Sequence, residues 1–280
     1  MPRSRPVATG RGAWRREENT VVVAGVQVPD VVPAPFAIFA ESVFVPVPLE
    51  FEPHTHPMHE LVWVRGGTMT VRLADAVVTV PEGHGLWIPA DVEHAGRTTA
   101  RTTLSDALFD AQRSPVSFPE VVAVEITPIL ASLLRHLERT DLTEPARLRA
   151  EAVVFDVLAP TERQLSLRVP DAARVEPIVS ALLDDPTDDR ALSDWAELLG
   201  ISERTVTRLF RLHTGLSFMQ WRQVLRVHRA LSLLSEGLPV QEVAELMGYA
   251  QSSTFIASFK RVMGTTPGAY LAATGTDATP

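Results

Sequence analysis

One stretch of this chain is written twice. Ala196-Glu-Leu-Leu-Gly200-Ile201 recurs as Ala244-Glu-Leu-Met-Gly248-Tyr249 at an offset of 48, and Thr205-Val206 through Phe210 and Gly215 recurs as Thr254-Phe255 through Phe259 and Gly264 at an offset of 49. The one-residue slip falls in the turn. Each copy holds the parts of a helix-turn-helix: an Ala small enough for two helices to approach, a Gly four residues on for a turn with positive φ, and a fresh amphipathic helix beyond it.

In the first copy Ser202 is the expected N-cap of a helix over 203–213, with Val206, Leu209 and Phe210 inward. In the second, Ser252 or Ser253 is the cap and Phe255, Phe259 and Val262 form the inward set. That leaves Arg204, Thr207, Arg208 and Arg211 on the outer face of the first helix, and Ser252, Ser253, Ile256, Lys260 and Arg261 near that of the second. Such faces suit the major groove of double-stranded DNA or its phosphate walls. Arg208 lies one turn into its helix, where a guanidinium can take guanine O6 and N7 for about 1–3 kcal/mol of discrimination. The default for a lone helix-surface arginine such as Arg211, Arg222 or Arg226 is solvation.

Between the copies, Phe218, Trp221, Val224, Leu225, Val227, His228, Leu231 and Leu234 keep a helical period. They predict a linking helix at about 217–235, roughly 28 Å long at 1.5 Å per residue. One turn of B-DNA is about 34 Å. A stiff spacer of that length lets one chain set two recognition helices into successive major grooves.

The overall charge of −8 opposes binding to nucleic acid. Locally it does not: residues 187–275 hold nine Arg or Lys against eight Asp or Glu, and most of the cations lie in or beside the proposed recognition helices. There is no cysteine, so disulfides and thiolate metal sites are excluded. No signal-peptide core and no run of 18 apolar residues occurs, so a soluble cytoplasmic protein without membrane contact is expected.

The N-terminal half reads differently. Short β-rich runs at about 20–28, 36–45, 59–65, 69–74, 76–80, 85–88 and 92–111, broken by Pro, Gly and Asp, predict a small antiparallel barrel. Two amphipathic helices follow, one marked by Ile126, Ile129, Leu130, Leu133, Leu134 and Leu137, the other by Leu148, Ala152, Val154, Phe155 and Leu158. Their stripe is expected to lie against the barrel or a second copy, so a homodimer is plausible. The fold class is thus α+β multidomain: a β-barrel, then an all-α domain with two helix-turn-helix motifs.

Within the barrel, His54-Thr-His56-x-x-x-Glu60 precedes Gly66-Gly67 and then Gly83-x5-Pro89-x-Asp91-x-x-His94. On one strand, 54, 56 and 60 share a face, which can converge with His94. His59, of opposite parity, and His84, in a turn, are expected to be solvated; Trp63 and Trp87 are expected in the core.

The duplicated segment resembles the DNA-binding domain of the AraC/XylS family of bacterial transcription regulators over residues 176–273, including the Val-x-x-Val-Ala-x-x-x-Gly-Tyr run ending at Tyr249, Phe259-Lys-Arg261 and Gly264-Thr-Thr-Pro267-Gly-Ala-Tyr270. The resemblance implies base-facing roles for Arg204, Thr207 and Arg208 in the first module and Ser252, Ser253, Ile256 and Ala257 in the second. Many relatives have Arg where this chain has Ala257 and Leu271, which implies weaker base reading by the second module. The barrel resembles the cupin fold with both its motifs, where the residues matching His54, His56, Glu60 and His94 hold a divalent metal. Asp91 replaces that motif's Gly and Thr98 its terminal Asn. Three imidazoles and a carboxylate suit Fe, Mn, Ni, Cu or Zn, with positions open to water or an effector.

The resulting layout is a basic tail at 1–16, a cupin-like sensor at 17–112, a helical connector at 113–160, a linker at 161–175 and the DNA-binding domain at 176–275, with motifs at about 192–213 and 239–263. It is expected to be a regulator, not an enzyme, whose barrel senses a small molecule or a divalent metal. Two alternatives are a metal-dependent cupin enzyme tethered to DNA and a ligand-free dimerisation barrel.

Overall fold

A computed structural model describes residues 19–24, 31–161 and 166–274. The expected basic tail lies outside the described residues. The chain divides into a β-rich unit and a helical unit.

The β-rich unit contains β1 (Val21–Val23), β2 (Ile38–Val45), β3 (Leu49–His54), β4 (His59–Arg65), β5 (Thr68–Arg72), β6 (Ala76–Pro81), β7 (His84–Ile88), β8 (His94–Thr98), β9 (Thr102–Phe109) and β10 (Val122–Glu125), then the helices α1 (Pro128–Leu137) and α2 (Glu144–Val157). One sheet contains the run β1-β3-β8-β5-β6 and the other runs β10-β7-β4-β9-β2, so the strands pack as two sheets and do not close into a barrel. Pairing is antiparallel except between β1 and β3. The run at 92–111 breaks into β8 and β9.

Strand alternation builds two cores from the second sheet. Val62 and Val64 of β4 point inward with Leu86, Ile88 and Leu104 to meet Met69, Val71, Val78 and Val80 of the facing sheet. Leu61 and Trp63 of β4 point the other way, with Trp87, Ala107 and Phe109, and are covered by Leu130, Leu134 and Leu137 of α1 and by Ala150, Val154 and Leu158. The helix pair therefore buries its stripe on the sheet.

The phase of α2 differs from expectation, for Leu148 is 37% exposed and Ala152 also faces out. Its buried face carries Glu151, whose carboxylate accepts from the backbone N–H of Ala37 at 2.9 Å and of Ile38 at 3.3 Å. Capturing two main-chain donors at the start of β2 offsets the burial of a charge. Arg147 completes the joint, donating to Ile38 O at 2.7 Å and stacking over Phe36.

The helical unit contains α3 (Glu176–Asp184), α4 (Leu192–Leu199), α5 (Glu203–Thr214), α6 (Phe218–Ser235), α7 (Val240–Leu246) and α8 (Ser252–Met263), with α9 (Pro267–Thr274) beginning at its end. A short strand, β11 (Ser166–Arg168), stands inside the expected linker, and Leu167 and Val175 of that linker are buried in the core around Trp195, Phe210 and Trp221.

The sequence repeat is a structural repeat. Gly200 and Gly248 have φ of 63° and 76°, the left-handed turn that a Cβ resists. Ile201 N–H donates to Ala196 O and Tyr249 N–H to Ala244 O, both at 3.0 Å. α5 and α8 are 12 residues each and end on Gly215 and Gly264. The slip sits between turn and helix, where the cap is Ser202 in one copy and Gln251 in the other. Ser202 Oγ accepts from Thr205 N–H at 3.2 Å. Gln251 gives no side-chain cap and Ser252 begins the helix, contrary to the expectation that a serine caps it.

The linking helix α6 is 18 residues long. It is not a rod with one buried stripe: Val227, His228, Ala230, Leu231, Ser232, Leu233 and Leu234 are all buried in its second half, while Phe218, Trp221 and Leu225 of its first half join the core of the first module.

Candidate nucleic-acid interface and metal centre

The first reading face is open. Arg204, Arg208 and Arg211 are exposed and Thr207 is half-buried, and they line a shallow hollow of about 740 Å³ with Leu192, Glu203 and Leu212. Val206 and Phe210 anchor the opposite side of α5 in the core. On α8, Ser253, Ala257, Lys260 and Arg261 are exposed and Ser252 and Ile256 half-buried, with Phe255, Ser258 and Phe259 inward. Arg261 also donates to Gln223 Oε1 of α6 at 3.2 Å. Two arginines expected in solvent are structural: Arg222, 8% exposed, donates to Arg190 O at 2.8 Å, and Arg226 Nε donates to Pro186 O at 2.9 Å.

In the β-rich unit the four predicted residues meet, though not by strand parity. His54 ends β3, His56 lies in the following turn and Glu60 is the second residue of β4, so 54, 56 and 60 do not share one strand. A register shift between Phe51 and His54 lets His54 pair with His94 of β8. Parity alone would have sent Phe51 and His54 to opposite faces. Asp91, with φ of 63°, donates its N–H to His56 O at 2.9 Å, which accounts for the Gly usual there in the cupin motif.

Potential ligand atoms of His54, His56 and His94 lie within 4.8 Å of one another. Each ring is held from behind by a main-chain carbonyl: His54 Nδ1 donates to Glu52 O at 2.8 Å, His56 Nδ1 to Met58 O at 2.7 Å and His94 Nδ1 to Val92 O at 2.9 Å. A carbonyl only accepts, so each Nδ1 carries hydrogen and each neutral ring presents Nε2 as a lone pair. Glu60 Oε2 stands 3.3 Å from His56 Nε2 and 3.0 Å from His94 Nε2. Acceptors gathered this closely require a cation among them, whether protons or a metal ion. The donor set fits a borderline first-row divalent ion, and carbonyl-anchored histidines are the usual support of such ligands.

Without metal, the electrostatics favour the proton alternative, an ionised Glu60 beside a protonated His94. Burial alone would raise the Glu60 carboxyl, but the imidazoles of His56 and His94 outweigh it and hold the group at about 2. Burial pushes His54 down and so favours the neutral ring. At His94, burial is outweighed by Glu60, and the net shift is upward.

His59 is half-buried on the helix side of β4, where its Nδ1 accepts from Ala90 N–H at 3.0 Å and its ring lies 5.1 Å from that of Trp87. His84 begins β7 and is also half-buried. Neither is freely solvated. Trp63 and Trp87 belong to the core. Sequence reasoning missed Asp106 of β9, which pairs with Val62 and shares the inner face of the sheet with Glu60. Burial raises its carboxyl well above the ordinary range, with the charges of Glu60 and Glu41 adding to the effect. A lone acid among Leu104, Leu108 and Phe109 gives no recognisable pattern.

Residues 49–158 match the model of the AraC-like ligand binding domain, and residues 195–273 match a helix-turn-helix domain model. A two-sheet ligand-binding domain joined to paired helix-turn-helices defines a ligand-responsive, DNA-binding transcriptional regulator. The HTH-type transcriptional regulator NimR of Escherichia coli is 34% identical over 224 residues, 78% of this chain and 81% of that protein. RipA of Corynebacterium glutamicum is 28% identical over 214 residues, 75% of this chain and 61% of that one. The chain belongs to the AraC family of HTH-type transcriptional regulators. Among solved structures, ToxT of Vibrio cholerae aligns over 85% of this chain and 98% of its own at 12% identity, with a TM-score of 0.36. No described helix is long and apolar enough to cross a membrane.

Proposed function

We propose that this regulator binds a divalent metal ion through His54, His56 and His94 with Glu60, and that metal, alone or with a small effector on its open positions, sets its affinity for an operator. The observation that carries the reading is the set of three Nδ1–H···O=C bonds, which turns three Nε2 lone pairs to one place beside a carboxylate. Bound metal would act as a Lewis acid toward an oxygen or nitrogen of the effector. The protein's own contribution is to orient the rings and to place the Glu60 carboxylate beside them.

In this reading the operator is contacted by Arg204, Thr207, Arg208 and Arg211 from α5, and by Ser252, Ser253, Ile256, Ala257, Lys260 and Arg261 from α8. The chain acts in the cytoplasm, as a regulator and not as an enzyme. A homodimer is part of the proposal. The apolar stripe of α1 is occupied by the sheet, so pairing would rest on Ile129, Leu148 and Val153, which are exposed.

Metal analysis of the purified full chain, beside a His56→Ala, His94→Ala variant, tests it. About one equivalent of metal in the first and a trace in the second is expected. Operator titrations with and without chelator should then differ. Negligible metal in wild type, or a variant that retains it, would overturn the metal reading and leave a metal-free sensor or scaffold.

A further inference from the structure

The two modules are alike in sequence but are not held alike. Gly200, in the turn of the first, has no atom within 4 Å of where a Cβ would stand. The equivalent position at Gly248 is 3.8 Å from Nη2 of Arg226 and 3.9 Å from its Cζ and Nη1, so this turn rests on the guanidinium. The same group reaches the other module. Its Nε donates to Pro186 O at 2.9 Å and its Nη2 to Thr187 O and Asp188 O, both at 3.3 Å, along the loop entering α4.

We infer that Arg226 is a positioning residue that fixes the separation and angle of α5 and α8, and so sets the half-site spacing the protein accepts. One planar fork with five donors can grip three carbonyls in its edge while its body packs against a main-chain turn; an ammonium cannot do both. All three acceptors are backbone atoms, so the grip is on the path of the chain itself. Arg222 braces the same loop from one turn away through Arg190 O. A polar tie between α6 and α8, Arg261 to Gln223, is exposed and contributes little.

The inference rests on the reading that both modules engage one duplex. The probe is a two-half-site operator selected from random duplex DNA by the wild-type full chain. Affinities are measured for that operator, for each half-site alone, and for versions with two base pairs inserted between half-sites, which rotate one against the other by about 70°. Wild type should lose at least about tenfold on insertion. Arg226→Ala should bind the original operator about tenfold more weakly, lose most of the insertion penalty, and keep half-site affinity within about twofold. Arg226→Lys, which retains a cation but not the planar fork, should show a reduced penalty, and it carries the test if the alanine variant does not fold.

An alanine variant with wild-type operator affinity and an undiminished penalty overturns the role of Arg226. So does equal weakening on half-site and operator, which marks general damage. If wild type itself ignores the insertion, it is the two-module reading that falls, and this inference with it.

Discussion

His228 sits in the middle of α6, 5% exposed, with no hydrogen-bond partner for Nδ1. Burial holds its pKa at about 4 against an ordinary 6.5. The folded state thus resists protonation while the unfolded chain accepts it readily, so the unfolded state binds more protons throughout the window from about 6.5 down to about 4. Stability is full above that window and falls as the pH drops through it. Between about pH 7.5 and about pH 5 the loss comes to roughly 2 kcal/mol, at 1.36 kcal/mol per pKa unit. His228→Leu removes the titrating group and keeps the position apolar. The remaining ionisable groups are common to both proteins, so their contributions cancel in the difference. Urea denaturation of wild type and variant at a series of pH values measures it, and the variant should gain about 2 kcal/mol relative to wild type over that interval. A stability difference that stays constant with pH would refute the account.

Arg208→Ala should lower specific operator affinity at least about tenfold, given the value of a bidentate guanine contact, and binding within twofold in a gel-shift titration would remove Arg208 from the interface. Glu151→Ala strands the N–H groups of Ala37 and Ile38 and should cost about 2–4 kcal/mol in denaturant unfolding; a cost under about 0.5 kcal/mol would show that water replaces the carboxylate. Glu60→Gln keeps the size of the side chain but removes its charge, and should release bound metal at chelator concentrations that wild type withstands. Equal retention by both proteins would take Glu60 out of the ligand set.

The helical unit was legible because its determinants are local. Ala196 with Gly200, and Ala244 with Gly248, specify a tight turn within five residues, and the structure repeats it almost atom for atom. What α6 touches is not local: Arg222 and Arg226 look like surface cations until the loop at 186–190 folds back over them. The same holds for α2, where the period was read from apolar residues, yet the buried face turns on Glu151, a residue whose place depends on main-chain donors more than 100 positions away. In the cluster, the residue types pointed to four side chains that do come together, while the single-strand geometry given for them was wrong. β3 was missed because Leu49-Glu-Phe-Glu-Pro-His is as acidic as it is apolar, and no pattern announces a register shift before His54.

Strand β4 has one further consequence. Glu60, Val62 and Val64 look toward the histidines and the facing sheet, while Leu61 and Trp63, their immediate neighbours, are gripped by α1 and α2. Backbone stiffness couples the two sides of such a ribbon, so under the proposed metal reading a displacement of Glu60 is passed directly to Leu61 and its helical cover. In that reading the carboxylate and the nearest helix-packed side chain, Leu61, are adjacent in the chain, with no hinge required to join them.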